Sequence, residues 1–226
     1  MTFSKKILSF FKSLDLQAEL PADVEVMNPF REKSTFDLCS KFYNKYYNDN
    51  NLRHLILGIN PGRFGGGITG IPFTDPIRLQ RICGIENDFQ KKQELSSVFV
   101  YEAISAFGGT EAFYNKFYIS SICPLGFTKN SKNLNYYDDR NLEYCIKQFV
   151  IDCIKKQLKF GIKTDVVFCL GEGKNFNYLC RINEEMKFFK TIVPLSHPRF
   201  IMQYKLKKKE EYIDRYLCEL KKVNNH

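Results

Sequence analysis

Apolar residues follow two different periods along this chain. At its start Ile7-Leu8, Phe10-Phe11 and Leu14 recur at helical spacing, and a second helical pattern covers 30–47, with Phe36, Cys39, Phe42 and Tyr43 on one face. Leu55-Ile56-Leu57 is instead an unbroken apolar run, the signature of a strand buried on both faces. Asp75-Pro76 predicts a helix start, since Asp caps and Pro is tolerated in the first turn. Residues 99–107 read as helix and 117–122 as a strand ended by Cys123-Pro124. Residues 138–159 read as one long amphipathic helix opened by two aspartates. Asp165 to Leu170 is a clear buried strand, followed by Gly171-Glu172-Gly173 and a helix through Met186. Thr191 to Leu195 is the last strand and 207–223 the last helix. Strands separated by helices predict a mostly parallel sheet covered on both faces: an α/β fold, a three-layer α/β/α sandwich with a short central sheet. Repeats, low-complexity segments and linkers are absent, so 1–226 reads as one domain with a helical extension over about residues 1–50.

Charge narrows the class of partner. Thirty-four Lys and Arg against 25 Asp and Glu give a net charge of +9, which suits a polyanion and most often nucleic acid. The eight cysteines include no C-x-x-C pair, so the chain offers no zinc or iron–sulfur pattern and no metal cofactor is expected. Free thiols in apolar contexts, such as Phe168-Cys169-Leu170, fit a reducing compartment. Lys5, Lys6, Lys12 and Asp15 interrupt the first twenty residues, which therefore read neither as a signal peptide nor as a membrane span. The expectation is a monomeric cytoplasmic protein, nucleoid-associated in a prokaryote.

The candidate chemistry lies where strands end. In open parallel sheets ligands bind beyond the carboxyl ends of the strands. Here those ends carry Asn60, the segment 123–133, Gly171 to Lys174, and Ser196-His197-Pro198-Arg199. The first belongs to a run, Gly58 to Phe73, with six glycines and two prolines, composition that marks left-handed backbone or close approach of another molecule. Gly171-Glu172-Gly173-Lys174 lacks the spacing of a phosphate-binding P-loop and reads as a helix start whose free N–H groups suit a DNA phosphate.

The order of residues in these segments carries a resemblance. Gly58-Ile59-Asn60-Pro61-Gly62-Arg63-Phe64-Gly65 through Thr69-Gly70-Ile71-Pro72-Phe73 resembles, without a gap, the first motif of the single-strand-selective monofunctional uracil-DNA glycosylases, G-M-N-P-G-P-F-G-x-x-x-T-G-V-P-F. Cys123-Pro124-Leu125-Gly126-Phe127 and Lys132-Asn133-Leu134 resemble that family's C-P-L-L-F and R-N-L. His197-Pro198-Arg199 is similar to its second motif, H-P-S-P-R-N, without the internal Ser-Pro pair. The resemblance spans about residues 55–204 in the family's order.

It implies a monofunctional N-glycosyl hydrolase of base excision repair that flips uracil out of DNA, single- or double-stranded, and cleaves its bond to deoxyribose. Asn60 and His197 would be catalytic, the first positioning water and the second donating to the 2-carbonyl oxygen as negative charge develops there. Phe73 would stack on the base and Asn133 would read its ring N–H and 4-carbonyl. Gly62 and Gly66 would line the pocket, where the family's usual methionine at position 66 is missing, which leaves 5-substituted uracils open as substrates. Arg199, Phe200, Ile201, Met202, Lys205, Lys207 and Lys208 combine cations with apolar wedges, the means by which proteins fill a vacated stack and hold its phosphates. Two other readings stay open from sequence. One is a degenerate member that binds damaged or single-stranded DNA without cutting. The other is the mismatch-specific uracil/thymine type, which shares G-I-N-P-G but lacks the T-G-I-P-F stretch and the histidine.

Overall fold

The computed structural model describes residues 1–223, so His226 lies outside the described residues. Its elements, in chain order, are α1 (Phe3–Lys12), β1 (Val24–Met27), α2 (Lys33–Tyr46), β2 (Arg53–Gly58), α3 (Gly66–Thr69), α4 (Pro76–Arg81), α5 (Leu95–Phe107) and α6 (Gly109–Lys116). There follow β3 (Phe117–Ser121), β4 (Gly126–Lys129), β5 (Lys132–Leu134), α7 (Arg140–Cys145), α8 (Lys147–Leu158) and β6 (Ile162–Leu170). The chain closes with α9 (Lys174–Met186), β7 (Thr191–Leu195), α10 (Pro198–Tyr204) and α11 (Lys209–Lys222).

The four apolar runs form one parallel sheet in the order β3-β2-β6-β7, flanked by helices. Every residue of β2 and β3 is buried, which explains why neither strand alternates in sequence. Strand order reverses at β2: the chain next adds β3 on one side, then β6 and β7 on the other. The crevice of such a sheet opens at that switch point, beyond the carboxyl end of β2. At the opposite end, the fully buried Arg53 donates to both carboxylate oxygens of Asp49 at 2.7 Å. Its guanidinium lies 4.7 and 4.8 Å from the ring centres of Phe3 and Tyr47. That cation–π stack ties α1 to the first central strand.

Two features differ from the sequence reading. The expected helix 138–159 is two helices, broken at Ile146, where ψ is −1°. Leu142, Ile146, Val150 and Ile154 continue one buried stripe across the break, and no Gly or Pro announces it. A second sheet, antiparallel and ordered β1-β4-β5, has no counterpart among the expected strands. Its β4–β5 hairpin turns through Asn130 and Ser131, both left-handed (φ 50° and 57°), the two-residue form that matches strand twist. The strands are only three or four residues long and mix apolar with polar side chains, so no sustained apolar period marks them.

Candidate active site

The floor of the site is the exit of β2. Gly58 has no side chain because the Phe73 ring occupies its place: a Cβ there would lie 2.8 Å from the ring. Phe73 itself is left-handed (φ 53°), a costly conformation for an aromatic residue that the surroundings must enforce. They do so through buried Thr69, whose hydroxyl donates to the Thr74 carbonyl at 2.7 Å, and Thr74, whose hydroxyl donates to Pro72 O at 3.1 Å. Gly67 closes the turn, donating from its N–H to Gly62 O at 3.0 Å, and a Cβ on it would collide with that same oxygen. Gly66 is buried at the start of α3, its missing Cβ directed at the backbone of Ile71 and Pro72.

Asn60 and Asn133 are joined through the hairpin. The Asn60 amide nitrogen donates to Leu134 O at 3.2 Å, and its oxygen accepts from Tyr136 N–H at 3.1 Å. Both amide atoms are thus oriented by backbone, and the oxygen keeps one lone pair. Asn133 sits on β5 opposite Thr128, and its oxygen accepts from Arg63 N–H at 2.9 Å. Its amide nitrogen faces Gly62, where a Cβ would lie at 3.2 Å. Gly62 is therefore the gap through which Asn133 reaches the glycine loop. Tyr136 extends the network by donating its hydroxyl to Asn175 at 2.7 Å, while Asn175 donates to Leu170 O at 3.0 Å. The hairpin is in this way tied to the ends of both β2 and β6.

His197 follows β7 and caps α10, its Nδ1 accepting from Arg199 N–H at 3.1 Å. Nδ1 is therefore unprotonated and Nε2 carries the hydrogen. Burial, with Arg199 adding to it, pushes the imidazole pKa down to about 4, so the ring is neutral at physiological pH. The ring centre lies 5.8 Å from that of Phe73. Ser196 fixes the preceding residue, donating to Glu172 at 2.6 Å, and its own carbonyl accepts from Tyr216.

Asn60, Gly62, Gly66, Phe73, Asn133, His197 and Arg199 all line one cavity of about 880 Å³. The strand-end residues singled out in the sequence are thus brought together. The basic run divides. Arg199 and Phe200 reach the rim, Phe200 being 41% exposed. Lys205, Lys207 and Lys208 are exposed beyond it. Ile201, expected to face DNA, is instead fully buried at 0%, and Met202 is half-buried against the core. Helical geometry explains this, because one residue along α10 turns the side chain about 100° from the rim to the core. Tyr204, which sequence reasoning passes over, takes their place: it is 71% exposed, lines the cavity and lies 5.7 Å from the Phe200 ring. Its i, i+4 spacing from Phe200 on a helix is the signal for it. Phe64, with the Lys92 ammonium 3.7 Å from its ring centre, forms another exposed part of the lining.

Among the described residues no group of three or more His, Cys, Asp or Glu is arranged to hold a metal, and no helix is long and apolar enough to cross a membrane. The family model of the uracil DNA glycosylase superfamily matches residues 44–221. Among solved structures, that of wild-type SMUG2 from Pedobacter heparinus is similar over 100% of both chains, with 53% sequence identity and a TM-score of 0.98. No curated protein matches the chain.

Proposed function

The chain belongs to the uracil DNA glycosylase superfamily, in its single-strand-selective monofunctional branch, and we propose that Asn60, Phe73, Asn133 and His197 carry out its reaction, release of uracil from DNA in base excision repair. The observation that carries this assignment is the neutral His197, which lines the same cavity as the two asparagines and whose Nδ1 accepts from Arg199 N–H, leaving the hydrogen on Nε2.

Flipping the nucleotide costs a few kcal/mol, and stacking on Phe73 offsets part of that. Asn133 donates from its amide nitrogen to the 4-carbonyl and accepts the ring N–H on its remaining lone pair. Cytosine reverses both polarities, leaving buried polar groups unpaired, which is the strongest basis for rejection a small pocket has. As the glycosidic bond lengthens, negative charge collects on the 2-carbonyl oxygen. His197 donates to it from Nε2 without giving up its proton, in the way of one oxyanion-hole donor. The Asn60 oxygen, fixed by Tyr136 N–H, uses its other lone pair to hold the attacking water beneath the anomeric carbon. An amide is a weak base, so this is positioning; stabilisation of the leaving base supplies most of the acceleration. Arg199, Lys205, Lys207 and Lys208 hold phosphates, and Phe200 with Tyr204 fills the vacated stack.

The test is base release from matched oligonucleotides carrying uracil, thymine or cytosine. Wild type should release uracil and leave cytosine. Asn133→Asp should lose uracil release by at least about 10²-fold, because a carboxylate cannot donate to the 4-carbonyl and repels the departing anion. Uracil release at the wild-type rate in that variant would remove Asn133 from the base-reading role.

A further inference from the structure

Glu94 lines the cavity at the start of α5 and presses its carboxyl onto the glycine loop. Gly65 makes room for it: the residue is buried and left-handed (φ 65°), and a Cβ there would lie 1.9 Å from Glu94 Oε2. That oxygen is shielded from solvent and has no hydrogen-bond partner. Two neighbouring cations are otherwise engaged. Lys92, on the same loop, lies over the Phe64 ring. Arg78 pairs with Asp75 at 3.2 Å and with Gln93 at 3.3 Å. Arg199 faces Glu94 from α10 without forming an ion pair with it, while Asp75, wholly buried at the start of α4, faces it with negative charge. Asp75 is committed as well: one oxygen accepts from Arg78 N–H at 2.8 Å and the other from Glu94 N–H at 3.0 Å.

We propose that Glu94 sets the charge state of the base pocket: excision requires it as the neutral acid, and its ionisation places beside the leaving uracil a negative charge that opposes formation of the anion. This rests on the assignment of the cavity as the uracil site. The physical basis is direct. A half-buried acid with one oxygen shielded from solvent beside a second carboxylate resists ionisation, and desolvation followed by Asp75, partly opposed by Arg199, raises the Glu94 pKa to about 7. Below that pH the proton stays and the wall is neutral. Above it the wall carries charge of the same sign as the departing base, on a carboxyl whose Oε2 is shielded from solvent. DNA phosphates at the rim strengthen the same preference, since they disfavour a further anion.

The experiment compares pH profiles of single-turnover uracil release by wild type and Glu94→Gln, a near-isosteric variant that cannot ionise. Wild type should lose about 10-fold in rate between pH 6 and pH 9, with a midpoint at or above about 7, the fall produced by ~1.4 kcal/mol of repulsion in the transition state. Glu94→Gln should change by less than about 2-fold over that range, whatever its absolute rate. Parallel profiles in the two proteins, or a variant with no measurable excision at any pH, would overturn the proposal. Thermal unfolding supplies a reading independent of turnover. A carboxyl whose folded pKa is raised favours the fold at low pH and loses that contribution as pH climbs from the ordinary carboxylate range to about 7. Wild type should show that loss and Glu94→Gln should not; equal losses count against the proposal. Should the active-site assignment itself be wrong, His197→Ala would excise uracil normally, an outcome separate from any change in profile.

Discussion

His197→Ala tests the chemical step most sharply, because the structure gives this histidine two separable jobs. Its Nδ1 caps α10, and its Nε2–H is the proposed donor to the leaving base. Loss of a cap costs about 1 kcal/mol of stability. Loss of one donor to a developing oxyanion costs roughly 2.7–4 kcal/mol of transition-state stabilisation, or 10²–10³ in rate. His197→Ser separates the two, since serine caps helices well but its hydroxyl is too short to replace Nε2. Both variants should therefore lose about 10²–10³ in single-turnover rate on a uracil oligonucleotide, while only the alanine variant melts measurably lower. The assay is alkaline cleavage of the abasic product with enzyme in excess, so that product release does not mask chemistry. The same structure fixes the acid limb. With a pKa near 4, about one ring in 10³ is protonated at pH 7, and the rate carried by His197 should not respond to acid until pH approaches 4. Stability should behave differently: a depressed histidine pKa means the unfolded chain binds a proton the folded one refuses, so wild type loses stability as pH falls from about 6.5 toward 4. A serine variant at the wild-type rate, or an inflection in rate near 6.5 that His197→Ala abolishes, would refute the role of a neutral donor.

Asn60→Ala should lower excision by 10²-fold or more and, by leaving Tyr136 N–H and Leu134 O unpartnered, cost about 1–3 kcal/mol of stability; Asn60→Asp keeps the acceptor for Tyr136 and should recover part of the stability. Unchanged turnover in the alanine variant removes water positioning from Asn60. At the rim, alanine at Phe200 and Tyr204 should slow release from duplex more than from single-stranded substrate, whereas Ile201→Ala should lower the melting temperature and affect both substrates alike, being a core truncation worth about 2–5 kcal/mol. Neutralising Lys205 and Lys207 should weaken binding to every sequence and flatten the salt dependence by about 0.7–0.9 for each phosphate left without its cation; an unaltered slope places both lysines off the DNA.

Burial on both faces of β2 and β3 leaves an unmistakable trace, and the partly buried β6 and β7 keep enough apolar residues to be legible as well. Runs such as Leu55-Ile56-Leu57 and Val166-Val167-Phe168 have no polar alternation, and the expected strand Thr191–Leu195 coincides with β7 at both ends. The second sheet leaves no such trace. Lys129, Lys132 and Asn133 place polar side chains on strands of three and four residues, and the Asn130-Ser131 turn lacks the glycine that usually advertises a left-handed pair. Sequence alone therefore puts Asn133 in a loop, although its aim depends on being in a strand paired to Thr128.

The site divides along the same line. Asn60, Phe73 and His197 follow buried strands or close the loop after one, so a general rule about strand ends finds two of them and motif order finds the third. Glu94 obeys no such rule. It stands in Lys91-Lys92-Gln93-Glu94, a polar and charged stretch, and one of its carboxyl oxygens is shielded from solvent where a glycine about thirty residues earlier has no Cβ to exclude it. In sequence Gly65 is one of a glycine run and reads as backbone open to close approach by another molecule. In the fold its left-handed backbone and missing side chain also serve another residue of the same chain, Glu94. Glycines in such loops mark where something comes close without saying what, and the answer at each lies in long-range contacts: the Phe73 ring at Gly58, the Asn133 amide at Gly62, a carboxyl at Gly65. Three neighbouring glycines thus seat the Phe73 ring, the Asn133 amide and the Glu94 carboxyl around one cavity, and enlarging any of them would displace the side chain it admits rather than merely stiffen the loop.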